Sequence, residues 1–251
     1  WKLYINGVLD QTLALGAAFT PQSLSNVSTA IGTSLNSTNA TEGFFNGSLD
    51  ELRVWNVVRT DAEIFAGYNA ELTSGTGLVS RWGFNDGSGT SAVNSIAGAP
   101  AATLVNNPAW VSGFNQGNPL GSTLDFNGTT DYVTFGAAPV LNTTSFTLEA
   151  WIKIEGTGVT TVTSGGADGL IGTESVIPIV AKGRGEGESP ANINMNYILG
   201  IKADNVLVAD FEESAGPNHK AIGTNAIPAN VWTHVAATYG AGTWNLYING
   251  V

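Results

Sequence analysis

The residues of this chain best suited to chemistry are carboxylates gathered in loop-like stretches. DFNGTTDYV carries Asp125, Asn127 and Asp131 around an Asn-Gly pair, and LDEL sets Asp50 and Glu51 at the mouth of a strand. VADFEESAGPNHK holds Asp210, Glu212 and Glu213, with Asn218 able to add a carbonyl oxygen and His219 beside it. Oxygen donors of this kind suit a hard divalent cation such as Ca²⁺, which takes six to eight oxygens. The same residue types also form turns or face solvent without any ligand, and the sequence leaves both readings open.

Other chemistries have less to build on. The chain has no cysteine, which removes thiolate nucleophiles, disulfides and sulfur-ligated zinc together. Its two histidines are His219 and His234, and the sequence does not supply a convincing base for a serine triad. KGRGEGE at Lys182–Glu188 is Gly-rich but lacks the spacing and the strand-turn-helix setting of a phosphate cradle. With Asn194, Asn196 and His219 it could line a rim that binds a sugar or a peptide. Trp151 and Tyr197, if exposed, would stack on sugar rings.

The elements that must position these groups are strands. Thirty-two Gly, few charged residues and an abundance of Ser, Thr and Asn suit short strands joined by tight turns. Lys+Arg 9 against Asp+Glu 20 gives a net charge of -11, which opposes nucleic acid and anionic lipid as partners and favours cations or neutral ligands. No window of about 18 apolar residues is present, so membrane insertion is not expected.

Alternation marks the strands. In SFTLEAWIKI, Phe146, Leu148, Ala150 and Ile152 point one way and Thr147, Glu149, Trp151 and Lys153 the other. A half-buried Glu149 needs a cation, and Arg53, which alternates away from Leu52 and Val54, is the candidate. Further strands are expected at 29–32, 78–84, 102–105, 124–126, 132–135, 177–181, 197–201, 206–211 and 231–239, and an apolar run at 12–17. One short helix is expected near 60–70, opened by a Thr60–Glu63 capping box and carrying Ile64, Phe65 and Tyr68 as an apolar stripe. NQGNPLG at 115–121 reads as a linker.

One stretch occurs twice. WKLYINGV at 1–8 and WNLYINGV at 244–251 differ only at Lys2 against Asn245. A repeated strand of this length is the mark of a periodic polypeptide.

Taken together, FNGTTDYV, FTLEAW, WTHVA, WNLYING and LDELRVW resemble the landmarks of the laminin-G-like family. That family has the concanavalin A-like lectin/glucanase fold, and the resemblance implies an all-β, antiparallel two-sheet jelly-roll sandwich. In the family LDELRVW and its helix close the domain, after the W-x-L-Y-I-N-G strand, whereas here that closing half stands before the opening one. The resemblance therefore implies a circularly permuted order, with 1–114 the closing half of a sandwich, 115–121 the linker and 122–251 the opening half. The two halves either close on each other within the chain or are exchanged with neighbouring repeats.

The family often binds calcium on a sheet rim, so the resemblance implies a first candidate site combining Asp125, Asn127 and Asp131 with Asp50 and Glu51. Asp210, Glu212 and Glu213 are the second candidate. The acid run of calcium-binding pentraxins is missing, and so is the E-x-D-x-x-E run of the fold's retaining glycosidases. His234 falls in the family's W-x-H-V-A strand, where a structural role is expected. The expected protein is thus a non-enzymatic, extracellular or cell-surface module whose partners are neighbouring repeats or copies of itself, and possibly glycans. The alternative is a calcium-dependent carbohydrate-binding module of a larger secreted enzyme.

Overall fold

The structure, a computed structural model, describes residues 2–5, 8–9, 17–113, 121–163, 174–185 and 194–249; for 2–5, 8–9, 244, 245 and 247 it describes the backbone alone. The apolar run at 12–17 apart from Ala17, the linker at 115–121 apart from Gly121, and residues 186–188 of the Gly-rich loop lie outside the described residues.

The first half of the chain contributes β1 (Lys2–Ile5), β2 (Val8–Leu9), β3 (Thr29–Ile31), β4 (Ser34–Leu35), β5 (Thr41–Glu42) and β6 (Asn46–Trp55). Helix α1 (Asp61–Gly67) follows, then β7 (Leu78–Trp82), β8 (Ser91–Ala92), β9 (Ala102–Val105) and β10 (Ala109–Ser112). The second half supplies β11 (Ser122–Asn127), β12 (Tyr132–Thr134), a 3-10 turn at Pro139–Leu141, β13 (Phe146–Ile154), β14 (Thr161–Val162) and β15 (Ser175–Gly183). It ends with β16 (Met195–Ile201), β17 (Val206–Asp210), β18 (Ala221–Ala226), β19 (Thr233–Gly240) and β20 (Thr243–Ile248). The chain is mostly β, with a single α-helix among the described residues. The two-residue strands β4, β5, β8 and β14 have no counterpart in the sequence reading, and neither does β18, whose burial pattern is largely exposed and lacks an apolar alternation.

Two nine-stranded sheets carry the fold. The first runs β10-β11-β6-β13-β19-β20-β1-β2, with β7 also paired to β6. The second runs β18-β17-β16-β15-β3-β12-β9-β8, with β14 paired to β15. Both sheets interleave the two halves of the chain. In the first, β6 lies between β11 and β13, and in the second, β3 lies between β15 and β12.

The inner faces of the sheets meet in one core. Phe146, Leu148, Ala150 and Ile152 of β13 enter it with Leu49, Leu52 and Val54 of β6. From the second sheet come Ile31, Val133, Tyr197, Leu199, Leu207 and Ala209. Burying such side chains against a facing sheet is the main source of stability in a sandwich.

Helix α1 closes the outer face of the first sheet. Thr60 accepts a hydrogen bond from the Glu63 amide at 3.3 Å, and Glu63 Oε2 accepts one from the Thr60 amide at 2.8 Å, completing the expected capping box. Ile64 is buried and meets Ala236 of β19, while Phe65, expected on the apolar stripe, is 57% exposed. A helix of two turns presents too narrow a face to bury adjacent residues 64 and 65 together.

The duplicated strand takes two places. β20 pairs antiparallel with β19, and β1 pairs parallel with β20, Lys2 opposite Asn245, Leu3 opposite Leu246 and Tyr4 opposite Tyr247. β1 also pairs antiparallel with β2, Ile5 opposite Val8.

Candidate functional site

Three of the family-like segments, LDELRVW, FTLEAW and WTHVA, meet beneath α1 on the outer face of the first sheet. A bulge between β6 and β13 brings Arg53 opposite Glu149 but Asp50 opposite Trp151, and Glu51, inside the bulge, has φ 50. The extra residue lets Leu49 and Leu52, three apart, both face the core, while Glu51 and Arg53, two apart, share the outer side. Glu51 accepts hydrogen bonds from Arg53 Nη2 at 3.0 Å and Arg81 Nε at 2.9 Å. Arg81 is the residue opposite Arg53 on β7, so one carboxylate separates two guanidiniums on neighbouring strands.

Glu149 is fully buried and heavily supplied with donors. Trp55 Nε1 lies 2.6 Å and Arg59 Nη1 2.9 Å from its Oε1, and Arg53 Nη1 is 3.6 Å away. Arg53 is therefore a partner, as expected, but Arg59 is the nearer one. His234 Nε2 stands 3.4 Å from the other carboxylate oxygen. Burial alone would raise the Glu149 pKa, yet His234, Arg53 and Arg59 outweigh it and hold the carboxyl down at about 2. Burial also lowers His234, against the pull of Glu149.

The same cations end the helix. Arg53 donates to the carbonyls of Gly67 and Ala70, Arg59 Nη2 to that of Glu63 at 2.7 Å, and Trp151 Nε1 to that of Tyr68 at 2.8 Å. The Gly67 and Tyr68 carbonyls stand at the C-terminal end of α1, where a helix leaves acceptors without i+4 partners, and Arg53 and Trp151 of the sheet satisfy them. The network fixes α1 to the sheet, and its groups are turned toward each other.

The first candidate metal set is consequently divided. Glu51 is committed to Arg53 and Arg81, and Asp50 Oδ1 accepts the Glu51 amide at 2.8 Å. Asn127 Oδ1 accepts the amides of Thr129 and Thr130, both at 2.9 Å, and Asn127 Nδ2 donates to Asp131 Oδ1 at 2.9 Å, so these two residues shape their own turn. Asp125 sits apart with Ser48 and Glu155. Ser48 Oγ is 3.3 Å from Asp125 Oδ1 and 3.1 Å from Glu155 Oε2, and Lys153 pairs with Glu155. Burial, then the hydrogen bond and negative charge of Glu155, raise the Asp125 pKa to about 6.

The second set splits across its strand. Asp210 and Glu212 are buried, and Glu212 Oε2 accepts the amides of Asn194 at 2.7 Å and Met195 at 3.0 Å. Burial pushes Asp210 well above the usual carboxylate range. Glu213 is held elsewhere, 3.5 Å from His219 Nε2. Among the described residues no group of three or more His, Cys, Asp or Glu is arranged to hold a metal ion.

The expected sugar-stacking aromatics are not available for that role. Trp151 is 4% exposed under Tyr68, and Tyr197 is fully buried against Phe146. α1 covers the first, and the alternation of β16 turns the second into the core. Asn218 is buried and donates to the Thr163 carbonyl at 3.1 Å, while His219 stacks on Phe19 with ring centres 3.9 Å apart. Of the proposed rim, Asn196 is buried and donates to Gln22 and Thr143 carbonyls, and Lys182 is buried with its ammonium on the carbonyls of Val27 and Ala137. Arg59 went unnoticed in the sequence because it follows β6 in an irregular segment, outside any alternation.

With this geometry in place, the sequence comparison is informative. A laminin-G family model of the Concanavalin A-like lectin/glucanases superfamily matches residues 1–65 and 127–251, and the chain belongs to that superfamily. No curated protein and no solved structure matches the chain. No helix among the described residues is long and apolar enough to cross a membrane.

Proposed function

We propose that this chain is a non-catalytic laminin-G-like module of a repetitive or self-assembling extracellular surface protein, serving in adhesion or as the building unit of a filament. The observation that carries this reading is the duplicated strand, whose two copies lie side by side as β1 and β20. A sandwich that holds two copies of one strand has a place that a second chain or repeat could fill. The absence of catalysis is supported by the carboxylates themselves, since Glu149 and Glu51 are both engaged by arginines. Light scattering over a range of concentrations tests the proposal: mass should rise with concentration, and a monomer at every concentration would remove the assembly part.

One observation favours the alternative, a calcium-dependent carbohydrate-binding module of a larger secreted enzyme. Glu155, beside Asp125, lines a hollow of about 280 Å³ with Ile154, Thr157, Ile177 and Asn205. An apolar floor with a few polar groups suits a small polar ligand. A glycan array probed with and without calcium decides it, and a blank array in calcium would count against this reading.

A further inference from the structure

β19 has one partner place on this side, and two nearly identical strands are available for it. β20 holds that place over six residue pairs, from Val235 opposite Ile248 to Gly240 opposite Thr243. Its advantage is local. Ala241 at φ 49 and Gly242 at φ 78 make a two-residue turn of the kind that suits a tight hairpin, so β20 folds back before any distant segment can compete.

β1 takes the next place, and its register is specific. Each position of one copy stands opposite the equivalent position of the other: Lys2 opposite Asn245, Leu3 opposite Leu246 and Tyr4 opposite Tyr247. The pair is parallel, and no short connection imposes it, since the two strands lie near opposite ends of the chain. In-register parallel stacking of one segment on its copy is how separate chains stack on each other.

We infer that the edge of β20 receives β1 from a second copy of this chain, β1 of each copy lying on β20 of the next. The inference rests on the self-assembly reading above and names its contact. Exchange of this kind keeps every strand pair made within one molecule, so little is lost on transfer. The contact is heterologous, joining different surfaces of the two copies, and when such a contact does not close it propagates as a filament.

The chain's lack of cysteine makes the test direct. Lys2→Cys and Asn245→Cys replace the one position at which the two copies differ. The two single variants, carrying tags of different mass, are mixed and oxidised, with each alone as control. A disulfide between the two variants is the expected product, and the double variant should give a ladder of covalent multimers that lengthens with concentration. Leu3→Pro in the Lys2→Cys chain should abolish the mixed disulfide while circular dichroism stays that of the parent fold, because proline removes a strand donor. A double variant that closes only on itself at every concentration, with no mixed disulfide, overturns the inference. If scattering shows assembly while the mixed disulfide is missing, the self-assembly reading survives and this contact is wrong.

Discussion

Arg59 Nη1 lies 2.9 Å from Glu149 Oε1, and the guanidinium also sits 4.3 Å over the Trp55 ring. One residue from the loop after β6 thereby joins β13 of the other half of the chain. The pair is buried, so removing either charge leaves the other without compensation.

Glu149→Gln is therefore expected to lower unfolding free energy by about 3–5 kcal/mol at neutral pH, read from urea denaturation. The folded carboxyl titrates at about 2 against 4.5 for an ordinary glutamate, so its contribution is full above the unfolded pKa and is lost as pH falls through the interval to about 2. The substituted protein should show a shallower acid limb across that interval. An unchanged acid limb would mean that Glu149 does not anchor the network.

Lys182 gives the opposite dependence. Burial lowers its pKa from 10.5 to about 8, so the folded state releases a proton that the unfolded chain still holds. Stability attributable to this group should rise as pH increases from about 8 toward 10.5. Lys182→Met should flatten that rise, measured as melting temperature against pH. Burial raises the Tyr239 pKa, so loss of stability above its ordinary range follows separately.

Asp125 titrates under the influence of Glu155. Its folded pKa is raised from 3.8 to about 6, so the stabilisation it brings is complete below the unfolded value and lost as pH rises through about 6. Asp125→Asn should melt at a higher temperature than the parent at pH 7, and the gap should close in acid. A constant gap at all pH values would separate Asp125 from the effect.

Gly47 is the place where β6 enters between its neighbours. Its φ is 140, and a Cβ there would lie 2.1 Å from the Lys153 carbonyl oxygen of β13. Gly47→Ala should destabilise by about 1–3 kcal/mol or more, since backbone must shift to admit the methyl group. Chemical denaturation measures it.

Much of the sandwich was legible in alternation alone. The β13 bounds, the core set Phe146, Leu148, Ala150 and Ile152, and the Thr60–Glu63 cap follow from local rules, and the structure bears them out. Local rules fail where burial comes from a distant element. Trp151 alternates to the face that would be open in a bare sheet, and only α1, arriving from elsewhere in the chain, covers it. Glu51 reads as a loop acid, yet it sits in a one-residue bulge between Arg53 and Arg81, marked in the sequence only by the three-residue step from Leu49 to Leu52. Tyr197 offers a hydroxyl that suggests a surface, but its strand position places it inside.

The interleaving of β6 and β3 with strands of the second half also constrains how the protein is made. Neither sheet can be completed until β13, β15 and β19 have left the ribosome, so the strands up to β10 emerge with their apolar faces waiting. Folding must then close contacts between residues far apart in sequence, which is intrinsically slow. During that delay a nascent chain is open to whatever binds exposed strands, and chaperone occupancy should fall only once β19 has emerged and both sheets can close.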